Sequence, residues 1–287
     1  MIRLFNYIKL LLIFLFIFGF ISIFTIFYTL WRYSSELPSY EKIVEYKPNL
    51  SSRIYSSDGF LLKSFYIQER IFIPENRIPQ IIKFAFLASE DKNFYKHYGV
   101  DIIAIIRAFF TNILNTYSDR RVVGASTITQ QVVKNLLLSN ELSYSRKIKE
   151  IILSVRIENI LDKNSILELY LNDIYLGYGS YGVAAASLNY FNKSLWDLTL
   201  DEMAFLAALP KAPNNYNPIS KYNDALARRN WVIDKMLENN FIDKTKLSYK
   251  NLPITISKRF EADYDSAEYF NEEIRKILYN KYGKDIL

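Results

Sequence analysis

The sequence predicts a mainly α-helical protein with one N-terminal transmembrane helix and a small β-hairpin element. Three observations carry this reading. Leu10–Leu30 is a run of 21 residues without a charge. At ~1.5 Å per residue, a helix of that length spans ~30 Å, the thickness of a bilayer's hydrocarbon core. Asp58-Gly59 lies between Arg53-Ile54-Tyr55 and Phe60-Leu61-Leu62, a strong hairpin signal. From Pro79 to Asn239 apolar residues recur mostly at helical spacing.

Within the first segment, Ser22, Thr25 and Thr29 are tolerable because a helix satisfies their hydroxyls internally. A cleaved signal peptide is the competing reading. Its apolar core normally runs ~7–15 residues before small residues at the cleavage site. This core is longer and runs into Trp31-Arg32-Tyr33, which favours an uncleaved anchor with aromatics at the far interface. Arg3, Lys9 and the start amine precede the span and Arg32 follows it, so the positive-inside rule places residues 1–9 in the cytoplasm and the bulk of the chain outside. Residues 31–74 form a linker, with Pro38 and Pro48, and the hairpin element.

Helices are expected over Ile81–Ser89, Ser145–Leu161, Ser165–Leu176, Thr199–Leu209 and Lys221–Asn239. Thr199 and Glu202 form a capping box, and Pro210 stops that helix. Ile102, Ile103, Ile106, Phe109, Phe110, Ile113 and Leu114 make a wide apolar stripe. Such stripes are usually core; insertion into a membrane leaflet is the second reading.

Composition narrows the chemistry. With 287 residues, 50% of them hydrophobic, the chain can bury one large core or two small ones. It has no cysteine and a single histidine, His97, which excludes disulfides, thiolate metal sites and multi-histidine metal clusters. A net charge of +6 suits anionic partners such as lipid head groups or diphosphates. No zinc-finger spacing or basic tract points to nucleic acid, and the 23 Tyr and 20 Phe are spread along the chain rather than gathered into a base-stacking platform.

The densest chemistry lies in Ser126-Thr127-Ile128-Thr129-Gln130-Gln131, behind Gly124 and running on to Lys134-Asn135. Thr127 and Gln130 form a T-x-x-Q capping box, which predicts a helix start there. The free N–H groups of a helix start attract anions, and Lys134 shares a face with Gln130 and Gln131 one turn earlier. Alone, this motif reads first as an ordinary capped helix with a solvated polar face, because capping boxes are common. Its company decides: Glu90-Asp91-x-x-Phe94-x-x-His97-x-Gly99-x-Asp101 precedes it, and Arg146-Lys147-x-x-Glu150 and Ile166-Leu167-Glu168-x-Tyr170-Leu171-Asn172 follow.

These four clusters resemble the peptidoglycan glycosyltransferase family, the transglycosylase domain of bifunctional class A penicillin-binding proteins and of stand-alone enzymes. The family pattern reads E-D-x-x-F-x-x-H-x-G, G-x-S-T-I-T-Q-Q-x-x-K-N, R-K-x-x-E and I-L-E-x-Y-L-N, and every position is matched. The resemblance covers residues 75–240 and implies a lysozyme-like helical domain. Near Tyr190-Phe191-Asn192-Lys193 the family usually has Gly where Asn192 stands. Residues 241–287 resemble the connector of the two-domain enzymes, as from an N-terminal fragment or a truncated product of a bifunctional protein.

The resemblance implies an inverting glycosyl transfer that polymerises lipid II, an undecaprenyl-diphosphate-linked disaccharide-peptide, onto a growing glycan strand at the outer face of the bacterial inner membrane. Other cell-wall synthesis proteins are partners at the family level. Such a displacement needs one base at the attacking hydroxyl, and cations and hydrogen-bond donors at the leaving diphosphate. By resemblance Glu90 is the general base and Glu150 a second carboxylate that orients cations. Ser126, Thr127, Gln130, Gln131, Lys134, Asn135, Arg146 and Lys147 line the diphosphate and sugar site, with Asp91 beside them. Asn172 is the residue of the last cluster expected to touch substrate; Glu168 and Tyr170 read as scaffold. Arg146 and Glu150 are spaced to pair along one helix. A magnesium ion bridging the diphosphate and Glu90 is a family-level expectation.

Two matches mislead. Gly177-x-Gly179-x-x-Gly182 fits the dinucleotide fingerprint, yet a predicted helix, not a strand, precedes it. Ser89-x-x-Lys92 and Ser187-x-Asn189 mimic transpeptidase motifs, but K-T-G is absent, so peptide cross-linking is not expected. The competing functions are a lysozyme-like hydrolase, in which a cationic diphosphate site would have no purpose, and an inactive membrane-anchored scaffold, against which the intact Glu90 and cations speak.

Overall fold

The computed structural model describes residues 2–35, 37–38, 43, 52–55, 57–58, 61–65, 69–116, 124–138, 143–257 and 268–282. Helix α1 runs Ile2–Ser34, longer than the uncharged run because nothing between Ile2 and Leu10 breaks a helix. It is the one helix among the described residues that is long and apolar enough to cross a membrane. The hydroxyls of Ser22, Thr25 and Thr29 donate to the carbonyls of Phe18, Ile21 and Thr25, each one turn back, at 2.6–2.8 Å. Strands β1 (Ser52–Tyr55) and β2 (Leu61–Phe65) pair antiparallel with a register shift at Ile54/Tyr55, as the hairpin signal requires. Gly59 of the predicted turn lies outside the described residues.

The body is helical: α2 (Gln80–Glu90), α3 (Ile102–Asn115), α4 (Ile128–Leu137), α5 (Tyr144–Glu158), α6 (Lys163–Asp173), α7 (Val183–Phe191), α8 (Leu200–Ala208) and α9 (Tyr222–Glu238). A parallel pair of two-residue strands, β3 (Glu69–Arg70) and β4 (Ser180–Tyr181), sits at its margin, and α10 spans Glu268–Tyr282. Helix α8 is central. Met203 through Ala208 are all buried, the mark of a helix surrounded by protein. It packs between α2 and α9. Helix α2 buries Ile82, Ala85, Phe86, Leu87 and Ala88, and its last residue, Glu90, lies half-buried at the edge of the core. The Ser89 hydroxyl locks that end by donating to the Ala207 carbonyl of α8 at 2.9 Å.

Two tight approaches set the loops around the site. Gly99 has φ +84°, and a Cβ there would lie 2.6 Å from the Ser154 carbonyl oxygen, so the 97–101 loop rests directly on α5. Gly182 (φ +81°) approaches the Asn172 carbonyl equally closely. The glycines that mimicked a dinucleotide fingerprint thus form a compact turn after α6, not a phosphate loop after a strand. Helix α6 ends three residues before the expected Leu176, because Ile174 is already extended at ψ 130°.

The apolar stripe does not join the core. In α3 only Ala108 is buried, while Ile102, Phe109, Phe110 and Leu114 are 61–74% exposed. Periodicity identifies a helix with an apolar face but not what covers that face, and the described residues leave this one open. The core reading is corrected accordingly.

Candidate active site

Glu90 ends α2, where outward-pointing carbonyls and the helix dipole disfavour an anion. It is half-buried. Desolvation raises its pKa above the ordinary carboxylate value; a hydrogen bond from Gln131 and the charges of Arg228 and Lys211 pull the other way, while neighbouring Asp91 adds to the rise. The Gln131 amide donates to Glu90 Oε2 at 3.0 Å. The result is a carboxylate with enhanced proton affinity, fixed by one amide.

Helix α4 starts as its sequence prescribes. The Thr127 hydroxyl accepts from Gln130 N at 3.1 Å and the Gln130 side chain accepts from Thr127 N at 2.9 Å, completing the capping box. Both residues are almost fully buried, and the Thr127 hydroxyl donates to the Gly99 carbonyl at 2.6 Å. Asp91 also faces inward. Its carboxylate meets His97 Nε2 at 3.0 Å and accepts from Ile128 N at 3.0 Å, a second anchor for the start of α4. Asp91, Thr127 and Gln130 therefore hold the start of the helix that carries Gln131 and Lys134.

The cations gather on α4 and α5, which pack together. The Lys147 ammonium donates to Ser126 Oγ at 2.9 Å and pairs with Glu150, whose side chain is 3% exposed. The helical spacing suggested Arg146 as that partner; the i, i+3 neighbour takes the place, because Lys147 reaches Glu150 and Ser126 together. Arg146 is left with a buried Nε that lacks a hydrogen-bond partner among the described residues. Lys134 is half-buried one turn after Gln131, and Asn135 is exposed beside it.

Asn172 is held by the protein's own backbone. Its side chain accepts from Ile73 N at 2.8 Å and donates to the carbonyls of Ile73 and Glu168, both at 2.9 Å. These bonds occupy the amide in pinning the 71–74 segment to α6, and the side chain is 6% exposed. Glu168 acts in the same clamp by accepting from Glu75 N at 2.7 Å.

A family profile described as Transglycosylase matches residues 58–237. The chain belongs to the transglycosylase family. It is 47% identical over 259 residues to penicillin-binding protein 1A of Rickettsia typhi, covering 88% of this chain and 33% of that protein. It is 49% identical over 258 residues to the same-named protein of Rickettsia bellii (89% and 32%) and 41% over 264 residues to that of Escherichia coli (90% and 30%). The chain thus spans about a third of the length of these relatives. Among solved structures, penicillin-binding protein 1A from Haemophilus influenzae aligns with a TM-score of 0.45 at 29% identity, covering 83% of this chain and 25% of that one.

Family membership accounts for the lysozyme-like helical fold and leaves one local departure to explain. Asn192, where the family usually has glycine, caps α7 in the left-handed region at φ +51°. Asparagine is the side chain that best tolerates that conformation after glycine. Sequence reasoning missed Arg228. Its guanidinium lies over the Trp231 ring at 3.8 Å, its Nε is buried without a hydrogen-bond partner among the described residues, and its charge acts on Glu90. A signal existed: Ala225, Val232, Ile233 and Met236 form the buried face of α9, and Arg229 falls in the middle of it. An arginine pair there asks for structural and electrostatic partners. Arg229 has them, donating to the carbonyls of Leu252 and Lys250 at 2.8 and 3.0 Å.

Proposed function

We propose that this chain is a peptidoglycan glycosyltransferase module that polymerises an undecaprenyl-diphosphate-linked disaccharide-peptide. The observation that carries the reading is a desolvated carboxylate, Glu90, bound to the same short helix whose next turn bears Lys134, with Arg146 and Lys147 on the helix packed against it. Glu90 takes the proton of the acceptor hydroxyl while that oxygen bonds to the anomeric carbon. The bond from that carbon to the diphosphate breaks, its electron pair leaves with the diphosphate, and the configuration inverts. Lys134, Arg146 and Lys147 meet the growing negative charge, and the Arg146 Nε, without a hydrogen-bond partner among the described residues, is a ready donor for it. Glu150 holds Lys147 in place.

Magnesium belongs to the proposal in a limited form. The described residues offer no cluster of three or more acidic or histidine side chains, and Asp91 is turned inward, so Glu90 would be the protein carboxylate nearest such an ion. That suits an ion held mainly by the substrate's own phosphate oxygens. The test is incubation of the full chain with the lipid-linked disaccharide. Glycan polymer supports the reading, sugar released without polymer makes the chain a hydrolase, and no turnover makes it a scaffold. Loss of polymer on adding EDTA supports the metal; unchanged turnover removes it.

The proposed topology is a single pass through the bacterial inner membrane by α1, with the amino terminus inside and the helical domain on the outer face. Helix α3 then lies against that leaflet, its exposed Ile, Phe and Leu side chains covered by lipid. The chain has no cysteine, so Phe110→Cys introduces a single labelling site. A fluorophore there should be quenched by spin-labelled lipid in vesicles, whereas one at exposed Lys246→Cys should not; equal quenching at both sites defeats the docking. A protease added to the outer face should degrade the domain, and full protection would reverse the orientation.

A further inference from the structure

The turn between α6 and α7 is built around tyrosines. Tyr175 and Tyr181 face each other across an antiparallel bridge with ring centroids 4.9 Å apart, and the Arg70 guanidinium lies over the Tyr181 ring at 4.8 Å. At the tip, Ser180 N donates to the Gly177 carbonyl at 2.9 Å, closing a turn whose central residues are Tyr178 (φ +50°) and Gly179 (φ +70°). Positive φ at both central positions is the type I′ pattern, which calls for Asn, Asp or Gly at the first of them. A bulky side chain there strains against its own backbone. The residue is nevertheless tyrosine, and packing offsets little of that strain: its ring leans on Tyr190 at 5.8 Å, while 58% of the residue stays exposed. The turn also borders the active site. A Cβ on Gly177 would lie 3.2 Å from Pro213, so the segment before α9 packs directly on the turn. Lys211, two residues before Pro213, sets its charge against Glu90. Two residues span at most ~7 Å of extended chain, so a polymer engaged at Glu90 reaches the tip.

We infer that Tyr178 is a stacking platform for the growing glycan strand: its open ring face takes a sugar ring away from the bond being made. The inference rests on the reading of the chain as a glycan polymerase. A sugar ring has an apolar face of C–H groups, which suits the negative face of an aromatic ring. Its rim of hydroxyl and amide groups suits the phenol hydroxyls of Tyr178 and exposed Tyr175, which both donate and accept. Lipid is the poorer fit. Helix α3 offers bare Ile, Phe and Leu side chains, whereas Tyr175, Tyr178 and Tyr181 each carry a hydroxyl. A strand held at this tip stays on the protein between transfers, so the platform sets the length of the product.

The experiment titrates the full chain in detergent micelles with lipid-free glycan oligosaccharides, and compares the lengths of polymer made from the lipid-linked disaccharide. Tyr178→Asn suits the turn better than tyrosine does, so the thermal midpoint should not fall. Its affinity for oligosaccharide should nevertheless drop about tenfold, the scale of one lost ring contact, and its polymer should be shorter. Tyr178→Phe keeps the ring and should bind closer to wild type than to Tyr178→Asn. Wild-type affinity in Tyr178→Asn overturns the platform, and so does an equal loss in both variants. A lower thermal midpoint in Tyr178→Asn assigns the ring to packing on Tyr190 and overturns it too. Quenching by spin-labelled lipid of a fluorophore at Tyr178→Cys, as strong as at Phe110→Cys, makes the turn a lipid contact instead. Oligosaccharide binding that depends on Tyr178 in a chain that makes no polymer upholds the sugar site and overturns the polymerase reading alone.

Discussion

Glu90→Gln lowers glycan polymer formation by at least about 100-fold, the range expected for removing a general base. The amide matches the carboxyl in shape and still bonds to Gln131, but it cannot take a proton from the acceptor hydroxyl. Binding of the lipid-linked substrate and the thermal midpoint of the chain should change little, because Glu90 lies at the edge of the core and the lock on α2 is made by Ser89, not by Glu90. The measurement is turnover at saturating substrate beside a binding titration. A variant that polymerises at the wild-type rate removes Glu90 from the mechanism. The environment of Glu90 also predicts an acid limb displaced above that of an ordinary carboxylate, since desolvation outweighs the contacts that lower its pKa.

Lys134→Ala and Arg146→Ala each cut turnover by about 10- to 1000-fold, the scale of losing one charge-stabilising donor where a leaving group develops charge. Interactions that strengthen only in the transition state lower kcat when lost, whereas those already made to the ground-state diphosphate raise KM, so the division between the two constants reports how each cation acts. The buried Nε of Arg146 has no hydrogen-bond partner among the described residues, so it can donate to the diphosphate without giving up a contact made there. Lys147 is already engaged by Ser126 and Glu150, and its replacement would confuse lost charge with a loosened α5. Lys246→Ala, on an exposed turn far along the chain, is the control and should leave both constants unchanged. If Lys134→Ala and Arg146→Ala match it, the cations are a solvated helix face.

Sequence by itself determined the local signals: the uncharged span of α1, the Asp58-Gly59 hairpin, the Thr127–Gln130 and Thr199–Glu202 capping boxes, and the ordered motifs that identify the family. The hairpin and the capping boxes depend on residues a few positions apart, where backbone geometry alone sets who can meet whom; the span and the motifs are patterns read along the chain itself. Only the tertiary structure decided the partnerships that cross the chain. It turned Asp91 inward to hold the start of α4, gave Glu150 to Lys147 instead of Arg146, and committed Asn172 to the backbone of Ile73. Among the described residues it also left the apolar face of α3 open and set Arg228 and Tyr170 around Glu90. The physical reason is the same in each case. A side chain's role depends on which groups compete for it in three dimensions and on how much water is excluded there, and neither is a property of spacing along one helix.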